Sequence, residues 1–297
     1  MTSAKLPPKK WWQCAKQATH QPVTHGSVPP LMTEKGRWAV KPKQKAQVLA
    51  DTAKKKHEGI PPWKGEVIWG NEEMEKPWED KFSIRRRRTN KIFKELKPAT
   101  ATAEDQIPVK VLKECMIALI PWITSLVYEC WEQGKWPWKT YWLAPRHKQG
   151  IPRDPTKYRL AHLTSIISKI VERCPEDYIQ GHCEKKQVIG DSQWAYRKQW
   201  SANDMLAFML TKWIRVLNED KKNIGLYLGD IQGAFDKVDK HVLLAKLTKL
   251  GLPDHIVRLM KAYFEPRAAQ VCVGGQKSDT FTLDNMTFQG TVLGPLM

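Results

Sequence analysis

The 297-residue sequence has six cysteines and no Cys-x-x-Cys pair among them. Neither a zinc ribbon nor a thioredoxin-type dithiol is written in it, and reduced thiols are expected. Long apolar runs are also missing. The longest, Cys115 to Trp131, is broken by Pro121, Thr124, Ser125 and Glu129, which makes it too short and too interrupted to span a bilayer. The first ten residues, Met1 to Lys10, are basic and hold two prolines in place of an apolar core, which argues against a secretory signal. An intracellular protein with no membrane partner is the expectation. Acid is scarce as well: 31 Asp and Glu face 49 Lys and Arg, a net charge of +18. Such an imbalance points to a polyanionic partner, most commonly nucleic acid, although charge alone does not tell DNA from RNA. A core is not lacking. With 41% hydrophobic residues the chain is too apolar for disorder throughout, and its length suits one large domain or two ordinary ones.

The charge is uneven. Residues 1–100 hold 22 Lys and Arg against 10 Asp and Glu, so +12 of the net charge sits in the first third. That third also carries Pro7, Pro8, Pro22, Pro29, Pro30, Pro42, Pro61 and Pro62, with lysine clusters at 41–45 and 54–56. Residues 1–80 therefore read as a basic, largely irregular arm. Its Trp11, Trp12, Trp38, Trp63 and Trp69 could stack on nucleic-acid bases or equally staple the arm to a core. The densest run, Arg85, Arg86, Arg87 and Arg88, could lie on a phosphate backbone or be a solvated helix face.

From about residue 105 the pattern becomes globular. Val109, Leu112, Met116, Leu119, Ile120, Ile123, Leu126, Val127 and Cys130 recur at helical spacing, which predicts one helix kinked near Pro121 and stopped at Gly134. Trp136 to Pro145 has strand composition, and Thr164–Val171 and Ala202–Leu217 read as amphipathic helices. Asn223 to Ile231 is an apolar run ending on Asp230, as a buried strand does when it delivers a side chain at its tip. Asp239 caps a further helix and Pro253 opens another. Gln270–Val273, Gly274-Gly275 and Phe281–Leu283 predict a hairpin with a return strand. Strands interleaved with helices in this order make an α+β domain over 81–297.

The tip Asp230-Ile-Gln-Gly-Ala-Phe-Asp236 carries the sharpest chemical signal. A carboxylate leaving a core strand beside small residues is suited to Mg²⁺, which takes one or two protein carboxylates and completes its shell with water and phosphate. The alternative is that Asp230 only caps the next turn.

The order of neighbouring segments adds to this. Asp105-Gln-Ile-Pro-Val-Lys-Val-Leu-Lys113, Pro145-Arg-His-Lys-Gln-Gly150, Tyr158 to Ile166 with Ser168-Lys-Ile-Val-Glu172, and Gln193-Trp-Ala-Tyr-Arg197 with Ser201 and Asp204 stand upstream of Asp230–Val238. Gln289-Gly-Thr-Val-Leu-Gly-Pro295 follows it. In this order and spacing, over about residues 95–297, the chain resembles the reverse transcriptase domain of non-LTR (LINE-like) retrotransposons. The resemblance implies the fingers and part of the palm of a right-hand polymerase. It implies an RNA template, a DNA primer and deoxynucleoside triphosphates as partners, and Mg²⁺ as cofactor. Asp230 would be a catalytic, metal-binding carboxylate with the Ile231 carbonyl as a second ligand. Lys148 and Arg159 would hold the triphosphate. Phe235 would lie beneath the sugar, and Gln289 and Gly290 would line the nucleotide pocket.

The chain also departs from that family. Leu160 and Ala161 stand for Pro-Ile, His162 for serine, Ala195 for glycine, and Phe288 for the proline before Gln289. Ala195 would be strained if its position needs positive φ. No Asp-Asp dipeptide occurs anywhere, whereas the family draws its other metal-binding carboxylates from an aromatic-x-Asp-Asp hairpin. The expectation is an incomplete metal site in a truncated element. The alternative is a catalytically inactive remnant that only binds nucleic acid.

Overall fold

A computed structural model describes residues 28–58, 65, 84–98, 100–219, 221, 223–231, 233–284 and 287–296. Trp11, Trp12, Trp63 and Trp69 lie outside them. Chain order starts with two short antiparallel strands, β1 (Leu31–Met32) and β2 (Trp38–Ala39), and helix α1 (Pro42–Glu58). These residues fall in the stretch expected to be irregular, and the helix is a difference from that reading. Pro42 suits the first helical position, Lys55, Lys56 and His57 fall in the last turn where cations complement the dipole, and Ala46, Leu49 and Ala50 make a buried stripe. Two of those three are alanines among lysines, so the stripe is faint in the sequence. The helix is docked by its polar groups too: the Gln47 and His57 side chains accept from the backbone N–H of Asp279 (2.9 Å) and Asp284 (3.2 Å).

Helix α2 (Arg86–Glu95) follows, then α3 (Val109–Glu114) and α4 (Met116–Gln133). The single kinked helix predicted over 109–130 is two helices that break at Cys115, while Pro121 sits inside α4. Gly134 ends α4 with φ +59, and a Cβ there would come within 2.9 Å of the Arg258 Cβ, so glycine answers both a left-handed cap and a close approach.

Strand β3 (Thr140–His147) pairs antiparallel with β4 (Tyr158–Leu163). Helix α5 (Ile166–Lys185) is capped by Ser165, whose hydroxyl accepts from the Ile167 N–H (3.1 Å) and donates to the Asp105 carboxylate (2.6 Å). Helix α6 (Ala202–Asn218) opens on a reciprocal Ser201–Asp204 capping box. Helix α7 (Lys240–Lys249) is capped by Asp239, and α8 (Asp254–Tyr263) follows Pro253. Strand β5 (Arg267–Val273) lies parallel to β3 and turns through Gly274-Gly275 into β6 (Gln276–Lys277), and β7 (Phe281–Leu283) continues the return along the same flank of β5, away from β3. The sheet order is β4-β3-β5-β6, which leaves β4 at an edge. Its core face, with Tyr141, Leu143, Ala269 and Val271, packs with Ile166, Ile170, Ile256, Met260 and Tyr263 of the helices.

The buried strand expected over 223–231 is not formed. The segment has no regular secondary structure, and Leu226, Tyr227, Leu228 and Ile231 are exposed, Tyr227 at 91%. A strand needs a neighbour to take its N–H and C=O groups, and among the described residues no strand pairs with it.

Candidate functional site

The β3–β4 hairpin sets the first part of the site. Its register pairs Arg146 with Arg159 and His147 with Tyr158, and the Lys148 N–H donates to the Lys157 carbonyl at 2.8 Å. Side chains alternate along a strand, so the directly paired Arg146 and Arg159 share one face, opposite that of the buried Tyr158 and His162, while Lys148 and Lys157 stand just beyond the strand ends. All four cations are exposed, and no ion pair among the described residues involves any of them. Lys148 and Arg159, singled out from the sequence, thus belong to one hairpin. Arg146 and Lys157 double its charge and were missed. Their signal is the i, i+2 spacing to Lys148 and Arg159, which becomes meaningful once the register is known.

The second part is the loop 287–294, which lies along the free edge of β4. The His162 N–H donates to the Gln289 carbonyl at 2.9 Å, and the His162 ring Nδ1 is 2.9 Å from the same oxygen. Gly290 has φ +100, and a Cβ there would stand 3.1 Å from the His162 carbonyl. Glycine is therefore required by conformation and by closeness. At the far end of the loop the buried Glu172 carboxylate accepts from the N–H groups of Val292 (2.7 Å) and Leu293 (3.2 Å). Burial pushes the Glu172 carboxyl up, opposed chiefly by the nearby Arg267 guanidinium. Arg267 is itself buried: it donates to the Tyr263 carbonyl (2.6 Å) and lies 4.0 Å from the Phe288 ring centre. At the near end, Thr287 donates from its N–H (3.0 Å) and its hydroxyl (3.1 Å) to the Phe235 carbonyl. Phe235, Gln289 and Gly290 are thus brought to one place, beside the strand that carries Arg159. Glu172 was visible as part of a motif but not as the loop's anchor. Arg267 gave no signal, because a buried arginine looks like any other in a basic sequence.

The remaining candidates are placed differently. Asp230 and Ile231 lie on the exposed segment before the Phe235 turn, which has no regular secondary structure, and among the described residues no group of three His, Cys, Asp or Glu is arranged to hold a metal. Asp236 forms an ion pair with Lys56 of α1. Of the arginine run, Arg85, Arg86 and Arg87 are exposed, whereas Arg88 is tied to Asp177 by an ion pair. Arg197 makes a two-nitrogen contact with Glu184 (2.8 and 3.1 Å) and reaches the Gly190 carbonyl (3.2 Å), so it organises the loop before α6. Ala195 escapes positive φ, which falls on the neighbouring Tyr196 at +59.

No helix among the described residues is long and apolar enough to cross a membrane. Residues 146–297, just over half of the chain, match the family described as reverse transcriptase (RNA-dependent DNA polymerase). Among curated proteins the chain is 31% identical over 161 residues to a probable RNA-directed DNA polymerase from transposon BS of Drosophila melanogaster, covering 54% of this chain and 18% of that protein. It is 26% identical over 200 residues to an RNA-directed DNA polymerase from the mobile element jockey of the same fly, covering 66% and 22%. The chain thus spans about a fifth of the length of these relatives. The match takes in Arg146 on β3, Lys148 just after it, Arg159 and His162 on β4, and the loop bonded to His162, and on that ground the chain belongs to the reverse transcriptase (RNA-dependent DNA polymerase) family.

Proposed function

We propose that this chain supplies the fingers and front palm of an RNA-directed DNA polymerase from a non-LTR retroelement, which adds deoxynucleotides to a primer 3′ end along an RNA template. The observation that carries this reading is the seating of Gln289-Gly290 on the edge of β4, tied through Thr287 to Phe235 and beside a hairpin that bears four exposed cations. Lys148 and Arg159 hold the incoming triphosphate. Attack of the primer hydroxyl on the α-phosphorus forms the new ester and releases pyrophosphate, and fixed cations offset the charge that gathers on the phosphoryl oxygens. Gly290 lets the nucleotide approach the backbone closely, and Phe235 sits under the sugar where it excludes a 2′-hydroxyl. Arg85, Arg86 and Arg87 follow a phosphate backbone, while Arg88 is occupied by Asp177.

Reverse transcriptases generally use divalent metal ions, and Mg²⁺ is the one proposed here, held by Asp230 with the Ile231 carbonyl. Two oxygen donors are of the kind that would hold a single hydrated Mg²⁺, which would supply positive charge to the phosphates. They do not fit a two-ion centre, which needs several carboxylates, and the described residues bring no such cluster together.

Primer extension on an RNA template with Mg²⁺ and deoxynucleotides tests this reading, run beside Asp230→Ala and Arg159→Ala with template binding measured in the same samples. Incorporation should vanish in Asp230→Ala and weaken in Arg159→Ala mainly through the nucleotide KM. Salt-sensitive binding without incorporation supports the second reading, a domain that only binds nucleic acid, which the isolation of Asp230 favours. Absence of salt-sensitive binding to primed template overturns both.

A further inference from the structure

Two of the positions that depart from the family pattern touch each other. His162, where the pattern has serine, and Phe288, where it has proline, have ring centres 5.8 Å apart. Both also pack on Tyr141, at 4.9 and 5.7 Å. They are 126 positions apart in sequence, yet they meet where the 287–294 loop attaches to β4. His162 also puts two donors on one acceptor, since its backbone N–H and its Nδ1 both lie 2.9 Å from the Gln289 carbonyl oxygen. A carbonyl only accepts, so Nδ1 carries the proton. Nε2 is left with its lone pair, buried and without a hydrogen-bond partner among the described residues. Burial holds the ring neutral by lowering its pKa to about 4, so one tautomer persists at physiological pH. The peptide unit between Gln289 and Gly290 is thereby held by two hydrogen bonds at its carbonyl, and its glycine stands against the His162 carbonyl.

We propose that His162 is a positioning residue, whose Nδ1–H fixes the plane of the 289–290 peptide and so sets where Gln289 and Gly290 meet the nucleotide. The role of that loop at a nucleotide rests on the polymerase reading above; the grip on the loop does not. Side-chain length gives the test its resolution. His162→Asn puts an amide N–H at the δ position, where Nδ1 sits. His162→Gln puts it at the ε position, where no acceptor waits, and His162→Leu fills the space with no donor. Asn and Gln carry the same polar burden when buried, so their comparison stays informative even if the leucine variant folds poorly.

Hydrogen exchange over residues 287–296 should be as slow in the Asn variant as in the parent and about tenfold faster in Gln and Leu, the size of one hydrogen bond. The nucleotide KM, or the Kd of a fluorescent deoxynucleotide where turnover is absent, should rise about tenfold in Gln and Leu and return in Asn. Identical exchange in the parent, Asn and Gln proteins overturns the grip, whatever the nucleotide assay reads. Exchange that separates Asn from Gln while nucleotide affinity stays level upholds the grip but overturns the positioning role, and points to a fault in the assignment of the loop to the nucleotide.

Discussion

From Thr140 to Lys185, together with the 287–294 loop, residues of one motif are bonded to residues of another. Asp105 takes the Ser165 hydroxyl, His162 holds Gln289, and Glu172 holds Val292 and Leu293. From Ser201 to Ile231 the motif residues make, among the described residues, only local bonds. Helix α6 has a well-formed capping box and no buried residue, and it exposes Leu206, Phe208, Leu210, Ile214 and Leu217. The contrast separates two sources of order. A helix can be specified by its own caps and spacing, whereas a functional side chain is placed only when distant segments close around it. Gln289 meets that condition and Asp230 does not.

The largest effect should come from the anchor of the first region. Glu172→Ala leaves two backbone N–H groups without their acceptor and removes the charge that Arg267 faces in the core. Breaking a buried charge arrangement this way costs about 3–5 kcal/mol, and Glu172→Gln, which keeps an acceptor oxygen, should cost markedly less. Urea denaturation of the three proteins measures both. A loss in the alanine variant below about 1 kcal/mol would erase the distinction between the two regions.

A pH series sharpens the same contrast. The His162 pKa is about 4 in the folded chain against an ordinary 6.5. Between those values the unfolded chain binds a proton that the folded chain refuses, so stability is full above about pH 6.5 and falls as pH drops toward 4. The span corresponds to about 3 kcal/mol. Glu172 works in the opposite sense: its raised pKa means the folded chain binds a proton first, so its contribution improves on acidification. Comparing the parent with His162→Asn isolates the histidine, because Glu172 is common to both. The parent should lose more stability than the variant between pH 6.5 and 4, and parallel curves would place the imidazole in contact with water.

What could be read from the sequence follows the same division. The Gly134 stop, the Asp239 cap and the Gly274-Gly275 turn depend on a few adjacent residues, and all three are found where expected. The motif pairs at Lys148, Arg159, Gln289 and Gly290 were legible through the family resemblance, and the register explains why they share a locality. Helix α1 was not legible, because Ala46 and Ala50 carry little hydrophobic signal between lysines. The break at Cys115 was not legible either, because apolar spacing continues across it. The strand expected at 223–231 failed for a different reason: its apolar run is a demand for a partner, and no described strand meets it.

The smallest effect should come from that segment. Tyr227 and Leu228 are 91% and 83% exposed, so Tyr227→Ser and Leu228→Ser remove little buried surface. Each should change stability by no more than about 0.5 kcal/mol. Asp230→Asn should be equally mild in denaturation, since the carboxylate is exposed and no ion pair involves it among the described residues. Stability and activity are then expected to part company along one stretch of chain. Glu172→Ala should lose both together, while Asp230→Asn should keep the fold and lose incorporation. A cost above about 1.5 kcal/mol for either serine variant would show that the 223–231 run is covered in solution. Asp230 would in that case stand at the tip of a paired strand, as its apolar sequence demands.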